Sequence, residues 1–198
     1  MPDIGPMRVY LFVLLIGLAT GCASTTESNL SRVDIAPRVT LTLPERSPFG
    51  AGANAVQLVQ AVYRDRKEIF QAVIASNDDG LTLIMTVPNG PRIMSLEWRK
   101  GGLKTRFEPI APKGLTAEHM LADIMTVYAP PEALRRALDG AALAVKPDGS
   151  RELTQDGQPI IRVTYPAGTG ADPWNGRAVL ENIVFGYRLV INSRPTAP

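Results

Sequence analysis

Cys22 and His119 are the only cysteine and the only histidine of the 198-residue chain, so thiol or imidazole chemistry must run through one of these two positions. Four-ligand zinc sites draw on several such side chains, and one of each excludes them, so no metal centre is expected. His119 lacks a partner in sequence, since no G-x-S-x-G nucleophile elbow occurs, and it falls on the polar side of a helical pattern. A solvated histidine is expected there. Asp78 and Asp79 are adjacent carboxylates, but Asn77-Asp78-Asp79-Gly80 lies between two strand patterns and reads as hairpin chemistry. Gly50-Ala51-Gly52-Ala53-Asn54-Ala55 matches G-x-G-x-x-A formally. A dinucleotide site, however, needs an apolar strand feeding the first glycine, and Arg46-Ser47-Pro48-Phe49 is not one. No catalytic residue, no cofactor and no enzyme activity are expected.

Cys22 is different, because its surroundings specify a reaction. Ahead of it, residues 9–18 form the apolar run V-Y-L-F-V-L-L-I-G-L, with Arg8 the one preceding positive charge. At about 1.5 Å per residue this run reaches roughly 15 Å, half of a bilayer core, which suits a signal-peptide core rather than a membrane span. Met1 and Met7 both offer starts for it. Ala19-Thr20-Gly21-Cys22 resembles the lipobox that closes a bacterial lipoprotein signal, with Ala19 where leucine is usual. That resemblance implies removal of residues 1–21 and attachment of lipid to the Cys22 thiol. Several long acyl chains anchor a protein durably, where one short chain binds reversibly. Ala23, rather than an aspartate, follows the cysteine. The expected location is the outer membrane, facing the periplasm.

After the signal, residues 22–34 begin A-S-T-T-E-S-N-L-S-R past the cysteine and are expected to be a flexible tether. Residues 35–198 are expected to form one domain, large enough for a real core. A net charge of +2 with scattered basic residues gives no reason to expect nucleic acid.

Period-two alternation dominates that domain. Leu81, Leu83, Met85 and Val87 share one phase, as do Met94, Leu96 and Trp98, then Leu103, Thr105 and Phe107. The pattern returns at Ile161, Val163 and Tyr165 and at Tyr187, Leu189 and Ile191. With turn signals such as Pro88-Asn89-Gly90-Pro91, Lys100-Gly101-Gly102 and Asp156-Gly157 between them, about eleven antiparallel strands are expected, each dry on one face. Two helices interrupt the strands. Thr116 caps one whose apolar stripe is Ala117, Met120, Leu121, Ile124, Met125 and Tyr128, with Glu118, His119, Asp123 and Thr126 opposite. The other runs from Pro131 to Asp139-Gly140.

Two short helices cannot cover the dry face of so wide a flat sheet. The sheet must fold into a sandwich or curl into a half-barrel, and helices placed between two strand meanders favour the second. The fold class is therefore mainly β with two lid helices, a strongly curved, unclosed antiparallel barrel.

The stretch from Gln57 to Leu138, above all R-I-M-S-L-E-W-R and L-T-A-E-H-M-L-A-D-I-M-T-V-Y-A-P-P-E-A-L-R-R-A-L, and the closing W-N-G-R-A-V-L-E-N-I-V-F-G-Y-R-L-V-I-N carry a resemblance. They are similar to a family of small bacterial lipoproteins of undetermined function, encoded beside fatty-acid-synthase-like operons that make aryl polyene lipids. That family resembles the lipoprotein carrier and acceptor proteins LolA and LolB, unclosed barrels with lid helices. Leu121-Ala122-Asp123 and Gly186-Tyr187-Arg188-Leu189 are its motifs here, while its usual Trp-Pro is Ala129-Pro130.

The resemblance implies binding and transfer of acyl chains, of a lipoprotein or a polyene-type lipid, by a monomer that receives cargo from a periplasmic carrier protein. The cavity residues expected on the strands are Leu83, Met85, Met94, Leu96, Trp98 and Phe107. Met120, Leu121, Ile124 and Met125 join them from the first helix, and Tyr187 and Leu189 from the last strand. All four methionines beyond the signal sit on these dry faces, as the adaptable thioether does on promiscuous apolar surfaces and in ordinary cores alike. Trp174, in a loop, is equally suited to meeting membrane or cargo and to plugging an open end. The alternative is a structural or assembly lipoprotein, its core filled and its free strand edges pairing with a partner.

Overall fold

Residues 24–28, 32–50, 53–100, 102–166 and 172–196 are described by the structure, a computed structural model. The signal, Cys22, Ala51 and Gly52 lie outside the described residues.

The alternation becomes two meanders of antiparallel strands. The first comprises β4 (Ala55–Tyr63), β5 (Arg66–Asn77), β6 (Gly80–Thr86), β7 (Arg92–Arg99) and β8 (Gly102–Phe107). The second comprises β10 (Ala142–Val145), β11 (Arg151–Gln155), β12 (Gln158–Thr164), β13 (Gly176–Asn182) and β14 (Tyr187–Pro195). β14 pairs along its whole length with β4, from Tyr187↔Tyr63 to Pro195↔Ala55, which fuses the meanders into one sheet. β1 (Ser24–Ser28) adds to the edge of β8. The order is β1-β8-β7-β6-β5-β4-β14-β13-β12-β11-β10, eleven strands whose two ends do not pair with each other. The sheet is mainly antiparallel β and not closed into a barrel, as the alternation predicts.

Register puts apolar pairs on one face. Leu81↔Trp98, Leu83↔Leu96 and Met85↔Met94 face each other across β6 and β7, and all six side chains are buried. Val87, expected to continue this row, is exposed, because the chain has already left the ladder for the turn closed by Val87 N–H on the Pro91 carbonyl.

Helix α1 (Ala117–Tyr128) opens where expected, with Thr116 Oγ1 accepting from the His119 amide at 3.3 Å. Helix α2 (Pro131–Ala137) is shorter than its sequence pattern. Leu138 and Asp139 leave it to form β9, which pairs with β3 (Val39–Thr42), itself paired with β2 (Arg32–Ala36). This second, three-stranded sheet was not legible as such. It supplies Val33, Ile35, Val39 and Leu41 to the same core as the large sheet and α1. The expected tether, residues 22–34, gives way accordingly: it contains β1 and the first three residues of β2. Isolated strands this short are held by pairing, and only the tertiary partner reveals them.

Candidate functional site

The dry face of the large sheet is the place where the expected cavity residues meet. Leu83, Met85, Met94, Leu96, Trp98, Leu121, Ile124 and Met125 are buried in a single contiguous cluster. Phe107, Met120, Tyr187 and Leu189 are half-buried and pack against it. Alternation plus one helical stripe was enough to find this set, because both periodicities point side chains to one side. The set is densely seated: Met94, Leu96, Leu121 and Met125 have 0% exposure.

Helix α1 lies against this face with both sides engaged, which the amphipathic pattern did not anticipate. Asp123 and Thr126, expected among its wet residues, turn inward. The Tyr187 hydroxyl donates to Asp123 Oδ1 at 2.7 Å, and Asn182 Nδ2 donates to the Tyr187 oxygen at 3.4 Å and to the Ile35 carbonyl at 3.3 Å. Burial pushes the Asp123 carboxyl up to about 7, partly offset by the Tyr187 hydroxyl, and burial followed by the facing carboxylate pushes the Tyr187 phenol up as well. Thr126 is buried with its hydroxyl returned to the Ala122 carbonyl at 2.7 Å.

The far end of α1 is fixed by two further polar groups. Gln57 Nε2 donates to Tyr128 Oη at 2.9 Å and to Ser193 Oγ at 3.1 Å, and Tyr128 Oη and Ser193 Oγ are 3.0 Å apart, a triangle closed within the core. Beside it, Arg151 Nη1 donates to the Thr126 carbonyl at 2.9 Å and the Tyr165 hydroxyl donates to the Val127 carbonyl. These are carbonyls of the last helical turn, which have no partner within a helix, and α1 has no basic residue of its own there. Arg151 therefore brings positive charge to the negative end of the helix from another element. Its guanidinium lies 5.8 Å from the Tyr165 ring centroid, it has no carboxylate partner among the described residues, and its Nε is buried without an acceptor. Burial draws the Arg151 pKa down while Tyr165 acts in the opposite sense.

None of Gln57, Ser193, Arg151, Asn182 and Tyr165 was picked out as a functional residue. Two carried a visible signal: Ser193 continues the dry phase of Tyr187, Leu189 and Ile191, and Arg151 shares the phase of the fully buried Leu153. A polar residue in a dry register announces an internal hydrogen bond.

Trp174 is partly buried and packs against the core. Its ring stacks on Tyr128, centroids 4.1 Å apart and 21° between planes, and meets Phe49 edge-on at 5.5 Å. His119 is exposed yet tied, Nδ1 2.8 Å from Thr116 Oγ1 and Nε2 3.1 Å from the Asp34 carbonyl, so it pins the start of α1 to β2. Asn77 Oδ1 accepts from the Asp79 and Gly80 amides at 3.0 and 3.1 Å, the hairpin chemistry expected of N-D-D-G. Ala55 opens a strand and not a helix, so the glycine pattern before it lacks the helix N-terminus a dinucleotide requires. Among the described residues no three His, Cys, Asp or Glu side chains gather as a metal site.

A family model matches residues 54–195, which span β4 to β14 and include Asp123, Tyr187, Gln57, Tyr128, Ser193, Arg151 and Tyr165 but not the Asp34 carbonyl that meets His119. The chain belongs to the DUF3261 family, proteins of unknown function. No curated protein matches it. The DUF3261 match takes in both meanders and both helices and leaves out β1, β2 and β3.

Proposed function

We propose that this member of the DUF3261 family is an outer-membrane-anchored periplasmic lipoprotein that binds and passes on acyl chains, of a lipoprotein or a polyene-type lipid, without covalent chemistry. The observation that carries the reading is the continuous apolar face of an unclosed sheet with one helix laid across it. Met85, Met94, Met120 and Met125 belong to that contact, and their unbranched side chains repack around a ligand more readily than branched ones. Besides its apolar seat, helix α1 is tied by a few discrete polar points, Asp123 with Tyr187, Tyr128 with Gln57 and Ser193, and Arg151 on its last turn, and on this reading these are the contacts that release when it lifts. On this reading the sheet curves as a half-barrel in the manner of LolA and LolB, α1 and α2 are its lid, Cys22 bears the anchor, and a periplasmic carrier delivers the cargo to a monomer.

Native mass spectrometry of the protein released from membranes tests it. Lipid that co-purifies, and displacement of that lipid by a fluorescent fatty acid with a change in Trp174 emission, is the expected result. A ligand-free protein with no fatty-acid affinity would sink it in favour of the second reading, a structural or assembly lipoprotein. That reading draws on the 0% exposure of Met94, Leu96, Leu121 and Met125, the density of an ordinary filled core.

A further inference from the structure

Two neighbouring hairpin tips at one end of the sheet carry an apolar and basic surface that folding uses only in part, through the edge-on contact of Phe185 with the His119 ring at 6.0 Å. β13 and β14 are joined by Ile183–Gly186, β4 and β5 by Arg64-Asp65, and the pair Tyr187↔Tyr63 sets the two turns side by side. Turns are ordinarily built from small and polar residues. Here Ile183 and Val184 are each 41% exposed, Phe185 36% and Tyr63 44%.

The exposure belongs to an ordered turn. Asn182, itself buried, accepts the Phe185 amide on Oδ1 at 2.8 Å, its carbonyl accepts from the Gly186 amide at 2.9 Å, and the Ile183 amide reaches the Ile160 carbonyl at 2.9 Å. Gly186 has φ +67°, which a side chain would resist. Ile183 and Val184 are thus presented outward at little further entropic cost, with Phe185 half-turned onto the His119 ring beside them.

Charge identifies what they meet. Arg64 lies over the Tyr63 ring at 5.1 Å, Arg66 and Lys67 follow in the same hairpin with Asp65 and Glu68, and Arg188 on the neighbouring strand stands opposite Glu181, which leaves the cation excess on the β4–β5 hairpin. We propose that these two hairpin tips dock on an anionic phospholipid surface, with Ile183, Val184 and Phe185 entering the headgroup boundary, Tyr63 at its level, and Arg64, Arg66 and Lys67 on the lipid phosphates. An apolar tip beside a basic hairpin and an amphipathic aromatic matches the chemistry of that interface. A second copy of the chain fits worse, since a two-fold contact would set the basic cluster against itself. The surface is independent of any acyl ligand in the core, and contact here would aim one end of the sheet at the bilayer.

A local probe tests this in the full chain. With Cys22→Ser, a nitroxide is placed at Val184→Cys and, separately, at Asp78→Cys in the distant β5–β6 turn, and collisional accessibility to oxygen and to an aqueous nickel complex is read. On vesicles of phosphatidylglycerol and phosphatidylethanolamine, position 184 should pass from water into the bilayer while position 78 stays aqueous. Arg64→Glu with Lys67→Glu should lower the embedded population roughly tenfold or more. The charge-reversed variant keeps residues 9–18 unchanged, so a loss of embedding in it is not theirs. The proposal is overturned if position 184 stays aqueous on these vesicles or is shielded from water before they are added. It is equally overturned by spin–spin coupling between copies, or by embedding of the same extent in phosphatidylcholine and in the charge-reversed variant.

Discussion

Tyr187 reaches from the first position of β14 to Asp123 in the middle of α1, its hydroxyl 2.7 Å from Oδ1, and this one contact makes a helix–sheet seat sensitive to protonation. Asn182 backs the pair and links it to the second sheet through the Ile35 carbonyl, so α1, β14, β13 and β2 are joined around one carboxyl group.

A carboxyl whose pKa is raised from 3.8 to about 7 binds its proton more tightly in the folded protein than in the unfolded chain. Its favourable contribution is therefore complete below about pH 4 and is lost as pH rises through about 7, a swing of up to about 4 kcal/mol, less the screening that partial exposure allows. Urea denaturation between these limits should show stability falling with pH, and Asp123→Asn should flatten the curve. A slope that survives in Asp123→Asn assigns the effect to another group.

The last turn of α1 leans on Arg151 and Tyr165. Tyr165→Phe leaves the Val127 carbonyl unpaired in a buried place and should cost about 1–3 kcal/mol. Arg151→Met removes an uncompensated buried cation together with its bond to Thr126, so its cost should fall short of a simple bond deletion. Because both act on adjacent carbonyls, the double variant should depart from additivity by about 0.5 kcal/mol or more, read from a double-mutant cycle in urea.

Within the Gln57, Tyr128 and Ser193 triangle, Tyr128→Phe keeps the ring that Trp174 stacks on and deletes one hydroxyl. A loss of about 1–2 kcal/mol with native Trp174 emission is expected. If the emission changes as well, the hydroxyl rather than the ring positions the stack.

Gly80 starts β6 with φ +153°, and a Cβ there would lie 1.9 Å from the Trp98 carbonyl oxygen. The obstacle is backbone, so the β6–β7 pairing must move. Gly80→Ala should destabilise by more than about 3 kcal/mol, an effect large enough to appear in thermal unfolding. Gly114→Ala, with positive φ but open space around it, should cost clearly less.

On the proposed function, Cys22 alone holds the mature chain to the membrane by covalent lipid. Metabolic labelling with a palmitate analogue should mark the wild type and not Cys22→Ala. An equally labelled Cys22→Ala would place the lipid elsewhere.

Alternation in the chain was sufficient to show which residues of β6 and β7 share the dry face, Val87 excepted. Leu83 faces Leu96 and Met85 faces Met94 because a strand's side chains alternate strictly, so turn positions and polarity together leave one arrangement that hides the apolar half. Thr116 likewise announced the start of α1, since capping is a contact over three residues.

What the sequence left open involves partners far away along the chain. Asp123 looks like a wet residue of an amphipathic helix until Tyr187, 64 residues later, supplies a hydroxyl. Leu138 and Asp139 look like the end of a helix until β3 offers an edge about a hundred residues earlier. Local patterns record which side of an element avoids water. Only the folded arrangement decides which polar groups find buried partners there, because those bonds join residues that no periodicity relates.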